Sequence, residues 1–114
     1  MKMRLSPLII GFCLSFLSAC STTPSLYNWG PYEDQTYSFF KNESVEQSIP
    51  QLEDHADKVQ AKGERLPPGF WAHLGMLYNA SGQDDKATEM FLREKSLFPE
   101  SAQYMDFLLN RLKR

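Results

Sequence analysis

The chain has 114 residues and a formal net charge of −2, from 12 Lys and Arg against 14 Asp and Glu. Its length suits one small domain. A weakly acidic chain lacks the basic surface that nucleic-acid binding requires, so we expect no nucleic-acid partner.

The N-terminal segment predicts export and lipid attachment. A positively charged start and a short apolar run lead to Leu17, Ser18, Ala19 and Cys20. This order is typical of a signal peptide, and the run is shorter than the roughly 20 apolar residues that a membrane-spanning helix needs. The four residues resemble the lipobox of bacterial lipoproteins. The resemblance implies that residues 1–19 are removed as a lipoprotein signal peptide and that Cys20 receives a diacylglycerol and an N-acyl chain.

The lipobox also determines what the mature chain contains. Cys13 and Cys20 are the two cysteines of the sequence, and cleavage leaves no free thiol. We therefore expect no disulfide, thiol enzyme or cysteine metal site, and no other cofactor or metal. By resemblance to the sorting rule of enterobacterial lipoproteins, Ser21 implies the outer membrane, with the domain facing the periplasm. Residues 20–30 are then a lipidated tether and residues 31–114 a helical domain.

An aromatic-rich segment opens this domain. Pro31 suits the first position of a helix, and the apolar residues after it, up to residue 41, recur at helical spacing. These aromatic residues allow two interpretations. They pack onto the helices behind them, since large aromatic side chains usually supply core area, or they form an exposed docking patch. In the second case the candidate partner contacts are Trp29, Tyr32 and Tyr37.

A second helix is predicted over residues 46–62. One apolar stripe has the spacing of an amphipathic helix and consists of Val45, Ile49, Leu52, Ala56 and Val59. Pro50 lacks the N–H of a helix interior, so we expect the helix to begin between Ser44 and Ser48. Gly63 should end it.

Residues 68–101 resemble a tetratricopeptide repeat, whose pattern is W-x2-L-G-x2-Y, A-x3-F and P. The matching residues are Trp71, Leu74, Gly75, Tyr78, Ala87, Phe91 and Pro99. The resemblance implies two antiparallel helices that approach most closely where Gly75 meets Ala87. Gly82 should end the first helix in a left-handed conformation, and Asp84 should start the second. Glu94 stands where the repeat usually has a small residue, so the repeat is slightly degenerate there.

The last segment predicts a helix that caps the repeat. Ser101 is placed to cap its N-terminus, and its core-facing stripe is expected to hold Tyr104, Leu108 and Leu112, widened by Phe107. The fold class is therefore all-α, with tetratricopeptide-like antiparallel hairpins and a C-terminal capping helix. One repeat cannot bury both its faces. Either the two preceding helices form a degenerate pair, or a partner completes the stack.

No catalytic constellation is apparent. His55 and His73 lack the spacing of zinc ligands, and we expect a surface position for His55 and a half-packed one for His73. Asp84-Asp85 fits a helix start better than acid–base chemistry.

Three segments carry a more specific resemblance: 67–69, 72–78 and 94–101. They resemble a family of uncharacterised proteobacterial lipoproteins, described as a domain of unknown function and often encoded beside a lipoprotein similar to the curli secretion channel. The resemblance implies an envelope complex, with that channel-like lipoprotein as a possible partner. We expect a non-enzymatic, lipid-anchored adaptor. The alternatives are an assembly or stability factor for an outer-membrane secretion channel and, third, a peptidoglycan-related enzyme.

Overall fold

The computed structural model describes residues 23–41 and 44–114, and these residues form five α-helices, one 3-10 turn and no strand. The predicted all-α class is confirmed. The helices are α1 (Tyr32–Phe40), α2 (Val45–Ala61), α3 (Phe70–Ala80), α4 (Asp84–Leu97) and α5 (Ala102–Leu112), and the 3-10 turn is Pro99–Ser101. Leu17, Ser18, Ala19 and Cys20 lie outside the described residues. Within the described ranges, no helix is long and apolar enough to cross a membrane.

The α3–α4 hairpin is the centre of the fold. The two helices are joined by three residues and pack along their length, while α2 packs on α3 and α5 packs on α4. Eight of the eleven α3 residues are buried, as expected for a helix with neighbours on several sides. The short α1 packs on α2 and places Tyr32 and Phe39 against the core.

The α2 helix begins at Val45 and contains Pro50, within the predicted interval. The stripe residues Ile49, Leu52, Ala56 and Val59 are buried in the core. Pro50 is exposed, so water can satisfy the backbone carbonyl that its missing N–H leaves free.

Two glycines end helices in the same way. Gly63 follows α2 with φ +67°, and Gly82 follows α3 with φ +77°. The N–H of the next residue bonds back to a carbonyl of the last turn, from Glu64 to Val59 and from Gln83 to Tyr78. This is the Schellman arrangement, which favours glycine at the left-handed position. Both predicted helix ends are confirmed.

Gly75 lies in tight contact with α4, and the α4 residues nearest to it are Phe91 and Met90. A Cβ on Gly75 would lie 2.6 Å from Cε1 of Phe91 and 3.2 Å from Cβ of Met90. Ala87, the neighbour predicted from the repeat pattern, is fully buried. The Phe91 ring, rather than Ala87, lies nearest to the space that the glycine opens.

The core-facing side of α5 differs from the prediction. Met105 is buried, and Leu108, Leu109 and Leu112 pack against the core, whereas Tyr104 and Phe107 are exposed. Apolar residues lie on most sides of α5, so their spacing alone does not fix the rotation of the helix.

The predicted cap of α5 is also wrong. The Ser101 hydroxyl donates to the carbonyl of Phe98 at 2.7 Å and makes no capping bond. Because Ser101 ends the 3-10 turn that precedes α5, its hydroxyl points back to the chain that enters the turn.

The end of the predicted tether is attached to the domain. The N–H of Asn28 donates to the carbonyl of Arg65 at 2.8 Å, and the Tyr27 ring lies 6.4 Å from that of Phe98. The chain from residue 27 onward therefore packs on the α2–α3 loop, which shortens the free part of a 20–30 tether.

Candidate binding groove

A groove runs along α3 between α1 and α5. It consists of two depressions of about 440 Å³ and 540 Å³ that share Met76. Ala72 and His73 form the rest of its floor near the start of α3. The α1 wall is made by Tyr32, Thr36, Phe39 and Phe40, and the α5 wall by Tyr104, Met105, Leu108 and Leu112. The lining is mostly apolar, as is usual for a site that binds an apolar segment.

The two ends of the groove carry opposite charge. Glu100 borders the depression at the start of α3, whereas Arg111, Arg114 and Asp84 border the other, where two cations outnumber one carboxylate. Neither arginine has a carboxylate within 4.0 Å among the described residues. The groove is therefore mainly apolar near the start of α3, with Glu100 at its edge, and of mixed polarity with a net positive charge at the other end.

His73 contributes to the floor as a neutral side chain. It is 5% exposed, and its ring makes edge contacts with the rings of Tyr32 and Phe39, at 5.8 Å and 5.5 Å between centroids. Burial lowers the pKa of His73, and a bond to the backbone of Gln35 opposes this only in part. Nε2 is buried without a hydrogen-bond partner among the described residues. The expectation of a half-packed His73 was wrong, because α1 covers the ring.

Glu94 lies beneath the same end of the groove and was missed as a functional position. Its side chain is 2% exposed and accepts hydrogen bonds from the N–H groups of Gly69 and Ala72, at 2.7 Å and 3.4 Å. A carboxylate is favourable at this positive end of α3. Gly69, the N-cap residue of α3, has no side chain to do this. A glycine at the N-cap position of α3 was the signal in the sequence that another residue must accept the hydrogen bonds of the first N–H groups of the helix.

Burial raises the pKa of Glu94. The backbone N–H groups of Gly69, Ala72 and Trp71 favour the ionised form and oppose the increase, while the negative charge of Glu100 adds to it. The side chain thus holds a proton more readily than an exposed glutamate. It also connects the end of α4 to the start of α3, where the groove begins.

Of the predicted repeat-packing residues, Phe91 lines the second depression of the groove, and the others are not among its lining residues. Most of them are buried: Trp71, Leu74, Gly75, Tyr78, Ala87 and Phe91. Pro99 is exposed and begins the 3-10 turn. The Tyr78 hydroxyl donates to Glu53 and joins α3 to α2. Burial, that bond and the charge of Glu53 strongly raise the pKa of Tyr78.

The structure separates the three predicted partner contacts. Tyr37 is 62% exposed and Trp29 is also exposed. Tyr32 is half-buried, with its ring 5.7 Å from that of Phe70, so the packing interpretation holds for this residue. Phe40, which the sequence analysis did not single out, is the most exposed large apolar side chain on α1.

The two histidines do not form a shared site. Nε2 of His55 lies 3.3 Å from the carbonyl oxygen of Asn28, and its ring packs 6.0 Å from that of Phe70. His55 is half-buried, and the prediction of a surface position was wrong because the residue 27–30 segment folds over it. In the described part of the chain, no group of three metal-ligating side chains occurs.

Fold and site together define a class: a small all-α protein built on an antiparallel helical hairpin, with an apolar groove beside it. Residues 26–108 match the family DUF4810, a domain of unknown function. The chain belongs to this family. No curated protein and no solved structure matches it.

Proposed function

We propose that this protein is a lipid-anchored adaptor of the bacterial envelope that binds a segment of an envelope protein in the groove over α3. The observation that carries the proposal is the groove itself. It is largely apolar, it has two walls from separate helices, and burial lowers the pKa of the histidine in its floor, His73. These properties suit binding through apolar side chains more than acid–base chemistry.

The resemblance of residues 68–101 to a tetratricopeptide repeat supports this function. Such repeats usually serve as binding scaffolds, although the fold alone does not assign a partner. In this chain α1 and α5 lie on either side of α3 and form the two walls of the groove.

The charges at the groove ends indicate the chemistry of the bound segment. An apolar segment with a cation near Glu100 and a carboxylate near Arg111 and Arg114 would match both ends. A channel-like envelope lipoprotein, expected from the family resemblance, is the partner to test first.

The lipobox supports the proposed attachment to the outer membrane through Cys20. The test is Cys20→Ala in the full chain, followed by fractionation of the membranes. The wild type should stay with the outer membrane, and the variant should leave it. If Cys20→Ala still fractionates with the outer membrane, attachment does not depend on that residue.

Partner binding is tested by crosslinking and pull-down from native membranes. Met76→Arg introduces a charge where the two depressions meet, and Leu92→Arg places the same charge on the exposed side of α4. A retained envelope protein should be lost with Met76→Arg and kept with Leu92→Arg. Equal melting temperatures would show that both variants fold. Equal capture by both variants would rule out the groove as the binding site.

A further inference from the structure

An exposed strip of side chains runs along α1. It consists of Glu33, Tyr37 and Phe40, which are spaced by four and then three residues. Residues at this spacing lie on one face of a helix. Tyr37 and Phe40 are 62% and 73% exposed. The strip is acidic at the start of α1, where Asp34 adds a second carboxylate, and aromatic toward its end.

A strip of matching spacing runs along α5 in the opposite order. Tyr104 and Phe107 are 54% and 53% exposed, and their rings stack with centroids 6.2 Å apart and planes 16° apart. The guanidinium of Arg111 lies 5.7 Å from the Phe107 ring centroid. The residues of α5 that face the core, such as Met105 and Leu109, are separate from this strip. The exposed strip of α5 is therefore apolar surface that does not contribute to the core.

The charges on the two strips have no ionic partner within the described part of the chain. Phe40, Tyr104 and Arg111 also border the groove, so a second copy and the proposed envelope segment would compete for them. The ion pairs of the described residues are Lys58–Asp54 and Lys95–Asp106, so neither Glu33 nor Arg111 is paired there. Asp106, the acidic residue of α5, is held by Lys95 at 2.7 Å. The α5 strip is thus basic and the start of the α1 strip acidic.

We propose that α1 of one copy packs antiparallel against α5 of a second copy. Tyr37 lies four residues after Glu33, and Phe40 lies three residues further on. On α5 the same steps run backward, with Phe107 four residues before Arg111 and Tyr104 three residues before Phe107. One antiparallel register therefore places Glu33 opposite Arg111, Tyr37 opposite Phe107 and Phe40 opposite Tyr104.

The same antiparallel register is compatible with the positive charge of Lys41, which directly follows α1. The ammonium of Lys41 lies 4.4 Å from the Tyr37 ring centroid, and its position along the helix falls opposite Gln103, an uncharged residue. A parallel register would place Glu33 opposite Tyr104 and leave Arg111 without a carboxylate. Charge complementarity thus selects the antiparallel arrangement.

Such a contact joins two different surfaces and so leaves a free α1 on one copy and a free α5 on the other. Contacts of this kind extend into chains unless they close into a ring. The strips are short, so each contact is weak. Copies held on one membrane by the proposed anchor would meet at a high local concentration, but the contact itself does not depend on the anchor.

Disulfide crosslinking between two full-length copies with tags of different size tests the contact. Both copies carry Cys13→Ala and Cys20→Ala, so that the introduced thiols are the only ones. One copy carries Tyr37→Cys and the other Phe107→Cys, and only the mixed dimer is scored, which excludes crosslinks within one chain. The matched control replaces Phe107→Cys by Leu92→Cys, at an equally exposed residue of α4. We expect the mixed dimer with Phe107→Cys and not with Leu92→Cys. No mixed dimer, or equal amounts in both pairs, would overturn the proposal.

Charge reversal tests the register. Glu33→Arg in both copies, or Arg111→Glu in both, places like charges opposite each other and should lower the crosslinked fraction about fivefold or more. In the rescue experiment, Glu33→Arg is placed on the copy with Tyr37→Cys and Arg111→Glu on the copy with Phe107→Cys. The contact then again joins opposite charges, and crosslinking should be restored. If the mixture crosslinks no better than either variant alone, Glu33 and Arg111 do not face each other and the proposed register is wrong.

Discussion

The Glu94 carboxylate accepts a hydrogen bond from the backbone N–H of Gly69, 2.7 Å away at the start of α3. The two residues are 25 positions apart in the chain. The contact closes the α3–α4 hairpin at the end opposite its connecting loop. Gly69 has φ +90°, a conformation that favours glycine, so the position that begins α3 cannot supply its own polar side chain.

Glu94→Ala tests whether this carboxylate stabilises the hairpin. Alanine matches the small residue usual in the repeat, so the repeat pattern alone would predict a stabilised protein. The structure predicts the reverse, because the N–H groups of Gly69 and Ala72 would lose their acceptor. We expect the free energy of unfolding in urea to fall by about 2 kcal/mol. Glu89→Ala, at an exposed position of the same helix, should change it by less than about 0.5 kcal/mol. A more stable Glu94→Ala variant would contradict the capping role.

The raised pKa of Glu94 gives a pH dependence of known sign. Its ordinary value is 4.5, and burial raises it in the folded protein. At pH values between the ordinary pKa of the unfolded state and the higher pKa of the folded state, the folded state binds more protons than the unfolded state. The contribution of Glu94 to stability therefore falls as pH rises from the lower pKa to the higher one. Glu94→Gln cannot titrate. We expect the difference in unfolding free energy between wild type and Glu94→Gln to shift against the wild type from pH 4.5 upward. A difference that is constant with pH would contradict the raised pKa.

The sequence predicted the hairpin well because each of its features depends on neighbouring residues. Gly82 determines the end of α3, and Asp84 marks the start of α4. The spacing of Trp71, Leu74 and Tyr78 places three large side chains on the buried side of α3. Local conformation and periodicity are properties that a sequence carries directly.

The candidate site was less predictable because it depends on contacts between distant segments. Glu94 stood out only as a departure from the repeat pattern, since its partner Gly69 is 25 positions away. The rotation of α5 could not be inferred, because its apolar residues lie on most sides of the helix. Tyr104 and Phe107, which were predicted to face the core, are therefore on the exposed surface in the structure.

His73 should change the stability with pH in the opposite direction to Glu94. Its ordinary pKa is 6.5, and burial lowers it in the folded protein. Below 6.5 the unfolded state binds more protons, so stability is lost as pH falls from 6.5 through the folded pKa. His73→Phe removes this loss, and it also removes the unpartnered Nε2. The variant also loses the bond to the Gln35 backbone, which offsets the gain from removing Nε2. We therefore expect a small difference in stability from the wild type at pH 7 and an advantage for the variant at pH 5.5, in urea unfolding at both pH values. An advantage that shrinks on acidification would contradict a lowered pKa for His73.

Gly75→Ala should destabilise the hairpin although alanine favours helices. A Cβ at this position would lie 2.6 Å and 2.8 Å from two carbons of the Phe91 ring, and overpacking of this kind costs about 1–3 kcal/mol. The gain in helix propensity offsets about 1 kcal/mol of that cost, so we expect a net loss of up to about 2 kcal/mol in urea unfolding. The double variant with Phe91→Leu separates the two effects. Because leucine lacks the ring edge that meets the Cβ, Gly75→Ala should cost less in the Phe91→Leu background than in the wild type, giving a favourable coupling energy. Strictly additive effects would mean that Phe91 is not what requires a glycine at position 75.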